Sequence, residues 1–334
     1  MIARRESSQD AAVPYATDLI GEHPSIIETR RLIARVAASP AQCVLLYGET
    51  GTGKGLVARM LHAQSERGER AFVDVNCAAI PDTLLESELF GHEQGAFTGA
   101  TSRKQGLVQV ADNGSIFLDE IREMNLALQA KLLTVLDTQS FRRVGAVKPI
   151  RVDVRFIAST NKILLSEVKA GKFREDLYYR LQVVPINVPA LRERGDDVFV
   201  LAEHFLRKFG ARYRRRIDGL EPAVRDVFRA YSWPGNVREL ENLIERIFIL
   251  EDDSRIMVRH LPARIMREVS GAGPPPGNGA AEPMMEFDAA THAFQRSLIT
   301  RALDETGGKQ SEAARILGMS RHALRHQMMK LGMR

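Results

Sequence analysis

Cysteine is nearly absent: Cys43 and Cys77 are the only two in 334 residues. Two thiols cannot make a disulfide framework, and these stand at no metal-ligand spacing, so they are expected to be reduced, partly buried and without a chemical role. Long apolar runs are missing too. Nothing approaches the roughly 18 residues a membrane span requires, and the first 20 residues carry no basic-then-apolar leader, so the expected compartment is the cytoplasm, with no membrane partner. No segment repeats. What is present is 44% hydrophobic and 27% charged, enough for a sizeable core and two or three domains. The net charge of +5 is weak evidence when averaged over the chain, but it is unevenly spread. Residues 287–334 hold eight Lys and Arg against four Asp and Glu, which makes the C-terminus the basic end.

Along the chain, residues 1–20 are polar and aperiodic, and an apolar helical face begins near Ser25 with Ile26, Ile27, Leu32, Ile33 and Val36. Apolar runs then alternate with helical stretches: Val44 to Tyr47, Ala71 to Val75, Ser115 to Leu118 and Val154 to Ala158. Short apolar strands separated by helices predict an α/β fold, a parallel sheet covered on both faces, over 21–188. From 189 to 267 the pattern is helical only, as in a smaller lid-like subdomain. Residues 268–286, rich in Gly, Pro and Ala, offer almost nothing to a core and read as a tether to a separate all-α module over 287–334.

The loop Gly48-Glu49-Thr50-Gly51-Thr52-Gly53-Lys54-Gly55 follows one of these strands and opens a helix, the context of a phosphate-binding loop. Its glycines let backbone N–H groups converge on phosphate oxygens, the helix N-terminus favours negative charge, and Lys54 reaches the outer phosphates. The usual Ser or Thr after the lysine is replaced by Gly55, so a magnesium-binding hydroxyl is missing. A second strand ends in Asp119 and Glu120, where a parallel sheet presents its ligands. Asp119 is expected to hold Mg²⁺ and Glu120 to polarise the attacking water.

With those motifs in place, residues from about Gly21 to Arg267 closely resemble the central domain of bacterial enhancer-binding proteins, AAA+ P-loop ATPases that activate sigma-54 RNA polymerase. Besides the phosphate loop, the resemblance rests on Glu88 to His92 leading into Gly95-Ala96-Phe97-Thr98-Gly99-Ala100, on Phe173 to Leu181, on Leu191-Arg192-Glu193-Arg194, and on Trp233-Pro234-Gly235-Asn236-Val237-Arg238-Glu239-Leu240. It implies ATP and Mg²⁺ as cofactors and a ring, usually a hexamer, with nucleotide between subunits. Arg174 and Arg180 then match residues that reach the neighbour's site, Asn161 and Arg238 match nucleotide sensors, and Asn76 matches the partner that holds Glu120 until nucleotide is sensed. The hexapeptide matches the tip that contacts the sigma-54 factor. Its glycines permit a tight reversal, so Phe97 could stand exposed or fold back on the core. The position of Gly55 is usually Glu in this family. Glycine in a first helical turn costs at most about 1 kcal/mol against alanine, so a tuned rather than abolished site is expected.

Gln310 to Leu324 fits a helix-turn-helix, with Ala313 and Ala314 where two helices touch, Gly318 in the turn and Ser320 as N-cap of the second helix. It resembles the Fis-type modules that end many enhancer-binding proteins. Leu324, Met328 and Leu331 supply that helix's buried face, Arg321, His322, Arg325 and His326 lie toward the major groove, and Lys330 is better placed for phosphate. Such modules pair on near-palindromic enhancer DNA, so paired DNA-binding domains are expected in the assembly. The expected protein is a sigma-54-dependent activator without an N-terminal regulatory domain. Its control would come from a separate protein or from hetero-oligomers with a paralogue. The rival reading is a nucleotide-responsive DNA-binding repressor that never engages sigma-54.

Overall fold

In the computed structural model, described for residues 18–270, 299–300, 302–303, 306, 309–316, 324 and 328, five parallel strands form the sheet order β2-β5-β8-β1-β9. The chain builds it as α1 (Pro24–Ala37), β1 (Cys43–Tyr47), α2 (Lys54–Ala63), β2 (Phe72–Asn76) and α3 (Asp82–Phe90). A ribbon of β3 (Gly91–His92) and β4 (Lys104–Gln105) follows, then α4 (Leu107–Val110), β5 (Ser115–Asp119) and α5 (Leu126–Thr138). A second ribbon, β6 (Ser140–Phe141) and β7 (Ile150–Arg151), precedes β8 (Arg155–Thr160), α6 (Leu164–Lys169), α7 (Glu175–Leu181) and β9 (Pro185–Asn187). Both ends of α1 have a local cause: Pro24 sits at its first turn, and the buried Arg155 guanidinium donates to the carbonyls of Val36 (2.7 Å) and Ala37 (3.1 Å) at its last.

Alternation along the strands splits the core in two. Leu45, Val75, Ile116, Leu118, Phe156 and Ala158 pack toward one face of the sheet, while Val44, Leu46, Phe117, Ile157 and Ile186 pack toward the other. Strands apolar on both faces are what a sheet covered by helices on each side demands. Burial pushes the thiols of Cys43 and Cys77 up to about 12, so neither is a thiolate at neutral pH.

Residues 189–270 form a helical lid of α8 (Asp197–Tyr213), α9 (Pro222–Ala230), α10 (Asn236–Leu250) and α11 (Ala263–Val269), with one isolated bridge between Leu220 and Ile256. Its own core centres on Trp233, whose indole is buried, meets Phe228 and Tyr231 edge-on at 5.0 and 5.1 Å, and donates Nε1–H to the Phe228 carbonyl at 2.9 Å.

The chain divides into two units, 1–271 and 272–334. In the second, Gln310–Ile316 is helical, and Ala313, Ala314, Leu324 and Met328 cluster with Ile299 and Ala302. Arg321, His322, Arg325, His326 and Lys330, expected to face DNA, lie outside the described residues, as do Gly318, Ser320 and Leu331.

Candidate nucleotide site and the hexapeptide loop

The sheet delivers its functional residues at the carboxyl ends of four adjacent strands. Residues Gly48 to Gly53 leave β1, Asp119 and Glu120 end β5, Ser159, Thr160 and Asn161 end β8, and Asn76 ends β2 in register with Asp119. Ligands of open parallel sheets bind at this edge. A cavity of about 390 Å³ opens there, lined by Thr50 to Leu56, Asp119, Glu120 and Arg238, with Leu19, Ile20, Leu201 and Phe205 as an apolar wall. That volume lies in the ordinary range for small-molecule sites, about 300–1,000 Å³.

Lys54 opens α2 and its ammonium is buried, donating to the carbonyls of Gly48 (2.9 Å) and Glu49 (3.2 Å). Burial pulls its pKa below the usual lysine range, a shift opposed by Glu120 and Asp119 and reinforced by Arg238. Glu120 Oε1 lies 3.9 Å from that ammonium and Oε2 lies 3.7 Å from Arg122 Nε, too far for a hydrogen bond. The buried atom Oε2 has no hydrogen-bond partner. Glu120 also holds φ 53°, a left-handed conformation that costs a non-glycine residue about 1 kcal/mol or more. An orphaned oxygen on a strained backbone is what a group held ready for a water molecule looks like.

Asp119 accepts a hydrogen bond from the Ser159 hydroxyl. A hard carboxylate at the strand end suits a magnesium ion. With no hydroxyl at Gly55, an ion held by Asp119 would depend on phosphate oxygens and water for its other ligands, as magnesium tolerates. A Cβ at position 55 would meet only the Phe117 ring, at 3.8 Å, so a side chain there is sterically open.

Other expected site residues are placed less simply. Asn161 donates to the Thr50 hydroxyl at 3.2 Å, and its buried carbonyl oxygen is orphaned. Asn76 accepts from Ala78 N–H at 3.0 Å, a local turn, rather than meeting Glu120, whose carboxylate faces Lys54 and Arg122. Arg174 caps the start of α7 and pairs with Asp176 at 2.7 Å, while Arg180 pairs with Asp137 at 3.0 Å. Both are half-exposed and neither lines the cavity of its own chain. Glu49, read as a nucleotide residue from its place in the motif, turns its carboxylate outward to Arg192 and Asn236 of the lid.

The hexapeptide forms the bend between β3 and β4. Gly95 (φ 81°) and Gly99 (φ 103°) take left-handed conformations there, and the turn is closed by Gly95 N–H to Ala100 O at 2.9 Å and Ala100 N–H to Phe97 O at 3.0 Å. Phe97 is 42% exposed and rests its ring against His92 at 5.0 Å, so it is neither core nor fully free, and Thr98 is exposed at the tip. Composition did not mark a second loop, 142–149, that is bonded to the ribbon's base: Val144 N–H to Gly91 O at 2.9 Å, Glu93 N–H to Val144 O at 3.0 Å, and Arg143 to Glu93 at 2.8 Å.

A phosphate loop and a carboxylate pair at the edge of a parallel sheet, roofed by a helical lid, define an AAA+ ATPase. The family models agree in chain order: the sigma-54 interaction domain matches residues 19–187, the AAA+ ATPase lid domain 192–276, and the Fis-family bacterial regulatory protein 292–331. The transcriptional regulatory protein ZraR of Escherichia coli is 44% identical over 321 residues, covering 95% of this chain and 70% of ZraR. The regulatory protein AtoC of the same organism is 42% identical over 314 residues, 94% of this chain and 68% of AtoC. The crystal structure of NtrX from Brucella abortus in complex with ATP superimposes with a TM-score of 0.71 at 36% identity, covering 94% of this chain and 69% of NtrX. The chain belongs to the sigma-54-dependent transcriptional activators, with a nucleotide-binding AAA+ domain and a Fis-type DNA-binding domain.

Proposed function

We propose that this chain assembles as a ring, a hexamer or a hetero-oligomer with a paralogue, hydrolyses ATP between subunits, and uses the cycle to remodel the closed promoter complex of sigma-54 RNA polymerase. Its terminal modules, paired on enhancer DNA, hold the ring nearby, a reading that puts the protein in the cytoplasm with its polymerase. Lys54 and the loop N–H groups bind the phosphates, Glu120 orients and deprotonates the attacking water, and Asn161 and Arg238 register the outer phosphate. Asp119 holds the magnesium ion, which when bound neutralises charge on the transferred phosphoryl group. Arg174 and Arg180 leave their own carboxylates to stabilise that charge in the neighbouring subunit's site. Asn76, in register with Asp119 at the end of the neighbouring strand, gives up its turn with Ala78 to hold Glu120 until nucleotide is sensed.

The observation that carries this reading is the connection between site and tip. The ribbon bearing Phe97 and Thr98 runs through α4 directly into β5, whose far end is Asp119 and Glu120. A change at the strand end is therefore continuous along the chain, through β5 and α4, with the ribbon that carries the exposed aromatic tip. Thr98→Ala is expected to hydrolyse ATP at close to the wild-type rate, within about twofold, yet to yield no open complexes with sigma-54 polymerase. Normal activation by this variant would overturn the loop assignment.

A further inference from the structure

Four consecutive residues of the phosphate loop are gripped by the lid. Arg192 makes a two-point pair with the Glu49 carboxylate, Nη2 to Oε1 at 2.5 Å and Nη1 to Oε2 at 2.8 Å. Asn236 at the start of α10 donates its amide to Glu49 Oε2 (3.1 Å) and to the Thr50 carbonyl (3.1 Å), while its own oxygen accepts from Leu191 N–H at 2.8 Å. Arg238 N–H donates to the Gly51 carbonyl at 3.2 Å, and the buried Arg194 donates to the Thr52 carbonyl at 3.0 Å. The approach is so close that a Cβ on Gly51, itself at φ 82°, would stand 2.2 Å from the Gly235 carbonyl oxygen. Asn236 is fully buried and held at φ 50°, a strained conformation that these bonds compensate.

A carboxylate beside phosphate groups would repel them, so Glu49 needs another purpose in this loop. Its backbone supplies one end of a linkage: the Glu49 carbonyl is a partner of the Lys54 ammonium, while its side chain holds the lid. We propose that Glu49, with Arg192 and Asn236, is a positioning clasp that makes the lid follow the phosphate loop. Phosphate drawing Lys54 away from the Glu49 carbonyl shifts that residue, and the clasp passes the shift to α10 and Arg238. Glu49 stays ionised in this arrangement. The hydrogen bonds from Arg192, opposed by partial burial and helped by Asn236, hold its pKa down to about 2. The clasp therefore does not titrate near neutral pH.

This inference rests on Gly48 to Gly55 being the nucleotide site. The chain has a single tryptophan, Trp233, buried three residues before Asn236, so its emission reports on the lid. The full chain, Glu49→Gln, Arg192→Gln and the double variant are titrated with ADP while Trp233 emission is followed, alongside direct binding of a fluorescent ADP analogue and ATP steady-state kinetics. Wild-type emission is expected to change on ADP binding. Each single variant is expected to lose that change at saturating ADP and to raise KM for ATP about tenfold with kcat affected less. The double variant should be no worse than either single one, because both remove the same contact. If a variant only lowers Tm while its Trp233 response and KM match wild type, the clasp is structural and the inference fails. Should Glu49→Gln not fold, Arg192→Gln, at the exposed rim of the lid, decides alone by the same readouts. A wild-type chain that binds no analogue would overturn the site reading itself, which the binding arm detects separately.

Discussion

Glu120→Gln is expected to lower ATP turnover by about 10²- to 10³-fold while leaving nucleotide affinity within about threefold of wild type. The amide keeps the shape of the side chain and its hydrogen-bonding oxygen but cannot take a proton from water. Affinity is spared because Glu120 does not hold the phosphates. In the proposed site that work falls to Lys54, 3.9 Å away, and to the loop backbone. The variant should therefore bind ATP and stall, with single-turnover phosphate release as the checking measurement. Turnover near the wild-type rate would move the base to another residue. The left-handed backbone at Glu120 adds a control: Glu120→Gly would relieve the strain and remove the base together, so a gain in Tm with loss of turnover separates the two roles.

The second large effect concerns the lid. Trp233→Ala is expected to destabilise the lid by about 3–5 kcal/mol, the usual range for truncating a fully buried tryptophan. The indole fills the space between Phe228 and Tyr231 and satisfies the Phe228 carbonyl, so the variant leaves both a cavity and an unpaired acceptor. Alanine at φ 53° keeps the backbone strain, so no relief offsets the loss. Urea unfolding followed by far-UV circular dichroism measures this directly. A loss below about 1 kcal/mol would mean that the cluster repacks.

Why these features differ in legibility is a matter of range and length. The strands β1, β5 and β8 are readable because strands buried on both faces are continuous apolar runs, whereas the outer strand β2 shows only Phe72, Val73 and Val75 around an exposed Asp74; the ends of β1 and β5 carry the phosphate loop and the carboxylate pair. The outer strand β9 has three residues and begins with Pro185. Nothing local marks it, and only its pairing with Leu45, Leu46 and Tyr47 makes it a strand. The ribbons on either side of β5 are equally invisible, at two residues per strand, which is below any periodicity. Glu49 illustrates the harder case. Its position in the motif suggested a nucleotide contact, yet its partners Arg192 and Asn236 are 143 and 187 positions away, so its orientation depends on tertiary structure alone. Asn76 was assigned to Glu120 by resemblance, whereas a local turn satisfies it here at lower entropic cost. The hexapeptide fell between both readings of its aromatic: composition allowed a tip or a core residue, and Phe97 rests half-exposed on His92.

On the proposed function, ATP hydrolysis by this chain opens promoters held by sigma-54 polymerase. Its most direct test is permanganate reactivity of the melted strand on a sigma-54 promoter bearing the chain's own binding site. The reaction is run with ATP, with a non-hydrolysable ATP analogue, and with the Lys54→Ala variant. Melting is expected only with the wild-type chain, hydrolysable ATP and sigma-54 holoenzyme together. ATP hydrolysis without melting, or reduced basal transcription on addition of the chain, would contradict the account and point to a repressor.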